Sequence, residues 1–206
     1  FQEVIYDEYL MTMIHLAEKL MESYALALGL TEDYFAPMVN KRAVISRLAY
    51  YPPPPFEQND DQMSCGVHSD QTGVTLLAQL DGTNGLQVKN SLDEWIDAVP
   101  IPGTLVVNIG DLIERWSNGH FKATKHRVIL RPGQERYSAI AFHMPNYYTK
   151  IESCIKGEAP KYVPVITGDF VLKRESLFYG PDEDWVEHEK NVENTEHYFT
   201  KIQNSK

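Results

Sequence analysis

The chain has 206 residues, 43% of them hydrophobic and 23% charged, which is the composition of an ordinary globular protein with one substantial core. A formal net charge of −10 disfavours nucleic acid and anionic lipid as partners, and no apolar run approaches the roughly 20 residues that cross a bilayer. Two isolated cysteines, Cys65 and Cys154, indicate reduced thiols and a cytoplasmic protein rather than a secreted disulfide scaffold.

The N-terminal part of the chain has the pattern of a helix. Apolar residues recur at helical spacing from Val4 to Leu28, and Gly29 then supplies the residue type that commonly ends a helix. Thr31 to Phe35 is predicted to form a short further turn of helix. We therefore expect a helical segment over residues 1–40. The chain begins at Phe1 inside this pattern without a targeting segment, so we expect the intact protein to have a longer N-terminal portion.

From residue 41 the pattern changes to short runs of β-forming residues separated by Gly, Pro, Asn and Asp. Eight or so short strands with turn residues between them predict a mainly β fold with flanking helices, built as a sandwich or jelly roll over residues 41–180. The predicted strands are Ala43 to Tyr51, Thr72 to Leu80, Leu86 to Lys89, Trp95 to Ala98, Thr104 to Asn108, Thr124 to Leu130, Tyr137 to His143 and Tyr148 to Ile151.

Two further helices and a tail complete the predicted organisation. Asp111 to Trp116 is predicted as a short helix that interrupts the strands, and Asp169 to Phe178 as a helix outside the sheets. Residues 181–206 are rich in acidic side chains and poor in apolar ones. We expect them to form a solvated tail that is partly helical or disordered.

Three residues form a candidate metal site. His68 and Asp70 are two positions apart, so at the end of an extended strand both side chains can point to the same side. His126 lies in a later β-type run that a jelly roll can bring beside this pair. Two histidines and one carboxylate leave three coordination positions open, as in non-haem Fe(II) oxygenases. A His-x-Asp pair alone is weak evidence, because such a pair is more often solvated or caps a turn.

A second pair strengthens this hypothesis. Arg136 and Ser138 lie on one face of a predicted strand, and a planar guanidinium beside a hydroxyl makes a good clamp for a carboxylate. An isolated Arg-x-Ser is more commonly a surface ion pair on an exposed strand face. The order and spacing of both pairs together favour a metal site with a carboxylate clamp.

In these motifs the chain resembles the Fe(II)/2-oxoglutarate-dependent dioxygenases of the isopenicillin N synthase-like branch, from about Arg47 to Tyr179. The segments that carry the resemblance are Tyr50-Tyr51-Pro52-Pro53, His68-Ser69-Asp70, Thr75-Leu76-Leu77, Gly85-Leu86-Gln87-Val88, Pro102-Gly103-Thr104, Asn108-Ile109-Gly110-Asp111, Trp116-Ser117-Asn118-Gly119, His126-Arg127-Val128 and Arg136-Tyr137-Ser138. The resemblance implies a double-stranded β-helix, which is a jelly roll, and an enzyme that oxidises a small-molecule substrate.

The resemblance also implies the cofactors. His68, Asp70 and His126 would hold Fe(II), and 2-oxoglutarate would chelate the ion through its C1 carboxylate and keto oxygen, which leaves one position for O2. Ascorbate is a further candidate. The outcome would be hydroxylation, desaturation or cyclisation with release of succinate and CO2.

The family's clamp for the far carboxylate of 2-oxoglutarate carries over to Arg136, Ser138 and Tyr51. Ala49 stands where many plant members have the Asn that contacts the C1 end, so that contact is absent here.

Four residues are candidates for contacting the substrate. Strand alternation puts Arg47 on the same face as Tyr51, where an inward guanidinium needs either an anion or a buried carboxylate partner. The first alternative makes Arg47 a substrate residue, and the second makes it structural. Gln71, Asn146 and Tyr147 could line the mouth of the site, although ordinary loop polarity is the commoner explanation for each.

Two other functions stay open from the sequence. The first is an oxidase of the same fold that uses no 2-oxoglutarate, as isopenicillin N synthase and aminocyclopropane-carboxylate oxidase do, because both also keep the Arg-x-Ser pair. The second is a catalytically silent jelly roll with a structural metal. A closed structural zinc site takes four protein ligands, whereas this site supplies three. The oligomeric state is left open.

Overall fold

The computed structural model describes residues 3–41, 43–59 and 62–179. The chain divides into two compact units, one up to Gly168 and the other from Asp169 onward. All described strands belong to the first unit. The predicted acidic tail lies outside the described residues, and the predicted division at residues 40 and 180 stays a prediction. Among the described helices, none is both long enough and apolar enough to cross a membrane.

The N-terminal part is helical, as predicted. It starts as a π-helical segment and continues as an α-helix that ends where the sequence places Gly29, which has a φ of +71°. The amide of Leu30 donates to the carbonyl of Ala25, and the amide of Gly29 to that of Leu26, so both carbonyls are satisfied at the helix end. The helices are the π-helical segment Glu3–Leu10, α1 (Met11–Ala27), α2 (Ala36–Val39), α3 (Asp111–Trp116) and α4 (Thr167–Tyr179).

All the described strands pair antiparallel. One sheet has the order β1-β8-β3-β6, a second has the order β2-β7-β4-β5, and β9 and β10 form a separate ribbon. The strands are β1 (Ala43–Tyr51), β2 (Cys65–His68), β3 (Val74–Gln79), β4 (Leu86–Lys89), β5 (Trp95–Asp97), β6 (Val106–Ile109), β7 (His126–Val128), β8 (Arg136–Met144), β9 (Lys150–Ile151) and β10 (Val165–Ile166).

The two four-stranded sheets form the predicted jelly roll. Helix α1 covers the outer face of the first sheet, where Met13 and Ala17 pack against Val74, Leu76 and Ala141. A second apolar cluster of Leu86, Val128 and Leu130 lies in the interior of the roll, and Tyr51, Leu77 and Val106 pack against it. The core therefore has two parts, one outside the first sheet and one that closes part of the space within the roll.

A buried histidine lies in the strand that runs through the middle of the first sheet. His143 on β8 is 1% exposed, and neither ring nitrogen has a hydrogen-bond partner among the described residues. Burial lowers the pKa of this imidazole, while the carboxylate of Glu18 on α1 raises it by a smaller amount. The fold therefore holds His143 as the neutral form, at the cost of an unsatisfied donor.

We expect the free energy of unfolding to fall more steeply with acidification in the wild type than in a His143→Leu variant. The folded-state pKa of His143 lies below its ordinary value of 6.5, so its contribution to stability is present above about pH 6.5. That contribution is lost as the pH falls through the lower folded-state pKa. Urea unfolding between about pH 8 and pH 5 measures both curves.

The exposed His15 provides the control for this experiment. A His15→Gln variant should keep the wild-type dependence on pH, because that ring lies on the solvent side of α1 and bonds only to the carbonyl of Met11. Parallel curves for the wild type and His143→Leu would contradict the expectation.

Candidate metal centre and its cavity

Three side chains from two parts of the second sheet converge on one point. In the pairing of β2 with β7, His68 stands directly opposite His126, and their ring centroids are 4.2 Å apart. Asp70 follows β2 and is 6% exposed, with its Oδ1 3.9 Å from Nε2 of His68 and 3.6 Å from Nε2 of His126. One ligand atom from each residue lies within 4.8 Å of the others, so a single ion can bind all three.

The other nitrogen of each imidazole is fixed by the backbone. Nδ1 of His68 donates to the carbonyl of Gly66 at 2.8 Å, and Nδ1 of His126 donates to that of Thr124 at 3.0 Å. Each Nε2 is thereby left with its lone pair aimed at the shared point. Burial lowers the pKa of His68, but bonds with Cys65 and Gly66 raise it above its ordinary value, so protons compete with a metal ion for this ring.

The carboxylate of Asp70 is held by a residue from the other sheet. Nδ2 of Asn108 on β6 donates to Oδ2 of Asp70 at 2.7 Å, which leaves Oδ1 facing the histidines. This bond orients the carboxylate without occupying the oxygen that a metal would bind. Asn108 therefore has the position of an outer-shell partner, which in metalloproteins tunes affinity through the ligand it holds.

The loop that carries Asp70 is docked onto the start of α3. The amide of Asp111 donates to the carbonyl of Asp70 at 2.8 Å, and the amide of Leu112 donates to that of Thr72 at 3.1 Å. Gly110 makes this docking possible, since a Cβ built at that position would collide with the carbonyl group of Thr72. The α3 helix thus positions the carboxylate of Asp70 through backbone contacts.

A cavity of about 300 Å³ lies between the two sheets and contains the candidate metal-binding triad in its wall. This volume is at the small end of the range for small-molecule sites. A larger cleft beside α1 and α2 includes none of the triad residues. The other residues in the wall are Arg47, Tyr51, Cys65, Thr75, Leu77, Leu86, Val88, Ala98, Val106, Val107, Asn108, Thr124, Val128, Arg136, Ile140 and Phe142.

The predicted clamp residues are buried and have unused polar atoms. Arg136 is 0% exposed and Ser138 is 1% exposed, and β8 places them on one face; Arg136 lines the cavity, whereas Ser138 is not among the residues of its wall. Nη2 of Arg136 donates to Gln79 at 3.3 Å, but its Nε and Nη1 and the hydroxyl of Ser138 have no partner among the described residues. The guanidinium of Arg136 lies 5.3 Å from the ring centroid of Tyr51. A buried guanidinium with spare donors fits a carboxylate ligand, because leaving it unpaired is costly.

The electrostatics of the clamp also fit an anion. Burial lowers the pKa of Arg136, although Tyr51 and Asp81 partly oppose this, and the ion pairs among the described residues do not include Arg136. Burial raises the pKa of Tyr51 despite the nearby charges of Arg136 and Arg47, so its phenol stays protonated as a hydrogen-bond donor. A charged donor and a neutral donor therefore face the same end of the cavity.

The four substrate candidates are placed differently. Arg47 lines the cavity, whereas Gln71, Asn146 and Tyr147 are not among the residues of its wall. The side chain of Asn146 is bonded to the carbonyl of Pro37, to Asn40 and to the amide of Lys41, which gives it a structural role between the helices and β8. The ring of Tyr147 packs closely against Gly168.

Two residues of the candidate site are not assigned a role from the sequence. Asn108 bonds to the carboxylate of Asp70, and Phe142 on β8 contributes an aromatic wall beside Arg47. The sequence contains a hint of a role for Asn108, because Asn is disfavoured in strands and stands here in an otherwise apolar strand. The sequence contains no such hint for Phe142, since an aromatic residue in a buried strand is ordinary.

The family model described as 2OG-Fe(II) oxygenase superfamily matches residues 43–145. Among curated proteins, the chain is similar to the 2-oxoglutarate-Fe(II) type oxidoreductase hxnY of Emericella nidulans, with 35% identity over 179 residues that cover 84% of this chain and 51% of that protein. It is also similar to homoarginine-6-hydroxylase 2-ODD-C23 of Glycine max, with 39% identity over 160 residues that cover 73% of this chain and 47% of that protein. The chain spans about half the length of these relatives.

Solved structures show the same similarity. A full-length Neurospora crassa protein in complex with alpha-KG and thymine matches with a TM-score of 0.75 and 34% identity, over 83% of this chain and 55% of that one. JOX2 in complex with 2OG, Fe and JA matches with a TM-score of 0.74 and 32% identity, over 81% of this chain and 50% of that one. Both structures are complexes with 2-oxoglutarate, also called alpha-KG.

We expect an Asn108→Ala substitution to weaken Fe(II) binding by about 10–100-fold, because Asp70 loses the bond that orients its carboxylate. Anaerobic competition with a coloured chelator measures the affinity. Asn84→Ala is a matched control, since the amide of Asn84 makes the same kind of bond, at 2.9 Å, to the surface carboxylate of Asp97. Equal Fe(II) affinity in the two variants would show that the bond to Asp70 has no influence on the metal.

We expect Gly110→Ala to lower the free energy of unfolding by about 2–3 kcal/mol and to weaken Fe(II) binding, because the added methyl group pushes the loop of Asp70 away from α3. Gly66→Ala is the control, since a Cβ at that position meets no atom within 4 Å. Urea unfolding of the metal-free proteins measures stability. A Gly110→Ala protein as stable as Gly66→Ala would disprove the close packing of this loop.

Proposed function

Because the chain belongs to the 2OG-Fe(II) oxygenase superfamily, we propose that it is the catalytic core of an Fe(II)- and 2-oxoglutarate-dependent oxygenase that oxidises a small molecule. The proposal concerns the activity of the whole protein, of which this chain corresponds to about half the length of its curated relatives. The oxidation is a hydroxylation, a desaturation or a cyclisation, coupled to release of succinate and CO2.

One observation carries the proposal. The same cavity wall holds an open His-Asp-His triad and, on a strand of the other sheet, the buried guanidinium of Arg136 with two nitrogens that no described residue satisfies. A silent structural metal site would not need the second feature. A dicarboxylate with a chelating keto acid at one end and a free carboxylate at the other satisfies both features at once.

In this proposal the chain's own residues position the reactants. His68, Asp70 and His126 hold the ion on one side and leave the cavity side of it open. Fe(II) with 2-oxoglutarate supplies the activation of dioxygen when both are bound. Arg136, with Ser138 and Tyr51 beside it, binds the far carboxylate of the co-substrate and so fixes its orientation.

The rest of the wall controls access to the site. Leu77, Leu86, Val106 and Val128 line the same cavity as Arg136 and the triad with apolar atoms and limit the water that can enter it. Ala49, where many plant members have Asn, pairs with Ser138 in the sheet and offers no polar side chain to the co-substrate. The chelating end is therefore oriented by the metal.

The relatives support a small-molecule substrate. Two of the similar solved structures contain thymine and JA as the bound compounds, and one curated relative is named a homoarginine-6-hydroxylase. A cavity of about 300 Å³ has room for a compound of that class beside the co-substrate. Two free cysteines, Cys65 and Cys154, support a location in the cytoplasm.

We expect anaerobic titration of the Fe(II)-loaded wild type with 2-oxoglutarate to produce a weak visible charge-transfer band. Arg136→Ala should require at least tenfold more 2-oxoglutarate, because a charged bidentate contact is lost. The matched control is Arg131→Ala, which removes an exposed guanidinium from a loop and should titrate as the wild type.

The alternatives to the proposed function predict other results for this titration. An iron-loaded protein that gives no band at any concentration of 2-oxoglutarate would identify the oxidase that works without this co-substrate. A protein that binds no Fe(II) would contradict the proposed function.

A further inference from the structure

Arg47, the second arginine of the cavity wall, has an environment unlike that of Arg136. Arg47 lies on β1, four positions before Tyr51, and pairs in the sheet with Ile140. Its guanidinium is 5.6 Å from the ring centroid of Phe142, and its side chain is exposed, at the mouth of the cavity. Arg136, in contrast, is fully buried at the other end. The two positions are four residues apart along the sheet, or roughly 13 Å.

Arg47 is not explained by a structural ion pair. No acidic side chain among the described residues lies within ion-pair distance of it, so the structural alternative that the sequence left open has no support there. Its contact with Phe142 holds the guanidinium in place without neutralising it. The charge therefore faces the cavity mouth uncompensated.

A count of charges shows what the cavity lacks. With Fe(II) and 2-oxoglutarate bound, the ion and Arg136 balance the carboxylate of Asp70 and the two carboxylates of the co-substrate. The histidines are neutral as ligands. Arg47 is then the only formal charge in the described wall that has no counterpart. The whole chain carries a net charge of −10, which repels anions in general, so an anionic substrate needs a local cation of this kind.

We propose that the substrate is an apolar small molecule that carries a carboxylate, and that Arg47 binds this carboxylate at the mouth of the cavity. The inference rests on the proposed function and adds the substrate class to it. Val88, Val106, Ile140 and Phe142 supply the apolar wall for the body of the molecule. Arg47 then sets which end of the substrate points away from the metal, and so which carbon is presented to it.

The test uses pairs of compounds of nearly equal shape that differ in charge: phenylacetate with phenylacetamide, and butyrate with butyramide. Each compound is titrated calorimetrically into the anaerobic Fe(II)·2-oxoglutarate complex of the chain. We expect the wild type to bind at least one carboxylate tenfold or more tightly than its amide. Arg47→Met should bring that ratio close to one, while Arg47→Lys should keep part of it and Arg131→Met all of it.

The charge-transfer band of 2-oxoglutarate is recorded in the same samples, so that a probe which displaces the co-substrate from Arg136 is recognised by loss of the band. A ratio near one for both pairs in the wild type would overturn the proposal, and so would a ratio that survives in Arg47→Met. Failure of the proposed function gives a different result, because the wild type would then show no band with 2-oxoglutarate. The preference for carboxylates is still measured in that case on the iron-loaded protein.

Discussion

The pairing of β2 with β7 fixes the geometry on which the site depends. Because His68 and His126 are direct partners in this register, their rings meet on the inner side of the sheet. A shift of one residue in either strand would turn one imidazole to the outside. The pairing is short and contains an irregularity between Cys65 and His68, so backbone bonds to the rings and the docked loop of Asp70 must supply the remaining precision.

One part of the interior of the jelly roll stabilises the fold, and the adjacent part is available for binding a ligand. Leu86, Val128 and Leu130 close part of it with apolar contacts, whereas the adjacent space keeps a buried guanidinium without enough acceptors. In the proposed function, a carboxylate bound at Arg136 would offset the free energy lost on burying this guanidinium without enough acceptors, since ligands that bind only the folded state stabilise it. If every polar group in the cavity had a partner within the protein, the fold would be more stable, but the cavity would have no spare donor for a ligand.

The sequence predicts the parts of the structure that depend on local pattern. Strands β1 and β4 have the predicted bounds, and the triad was predictable because His68 and Asp70 are near neighbours in a recognisable motif. Strand β2 is not among the predicted strands, since Gly66 interrupts its short run of β-forming residues. The two residues of β10 are too few to produce a pattern.

Contacts between distant parts of the chain could not be predicted. Asn146 follows a strand end and looked like a residue of the cavity mouth, but its amide is bonded to Lys41, which is 105 positions away. Asn108 reaches Asp70 across 38 positions. On α1, Leu16 is one of the apolar residues that recur at helical spacing, but it is 38% exposed, because the sheet packs against Met13 and Ala17 instead.

The position of β1 has a consequence for how the protein behaves in concentrated solution. Among the described strands β1 has one neighbour, β8, so its other edge presents unpaired amides and carbonyls over nine residues, beside exposed Leu48 and Tyr50. Such edges invite strand addition from another molecule. An arginine on the inner face of that strand is costly to bury in an intermolecular sheet, and the prolines from Pro52 to Pro55 stop the edge from lengthening. The residue that we propose for substrate recognition is thus also a charged side chain on an open edge strand, of the kind that discourages edge-to-edge association.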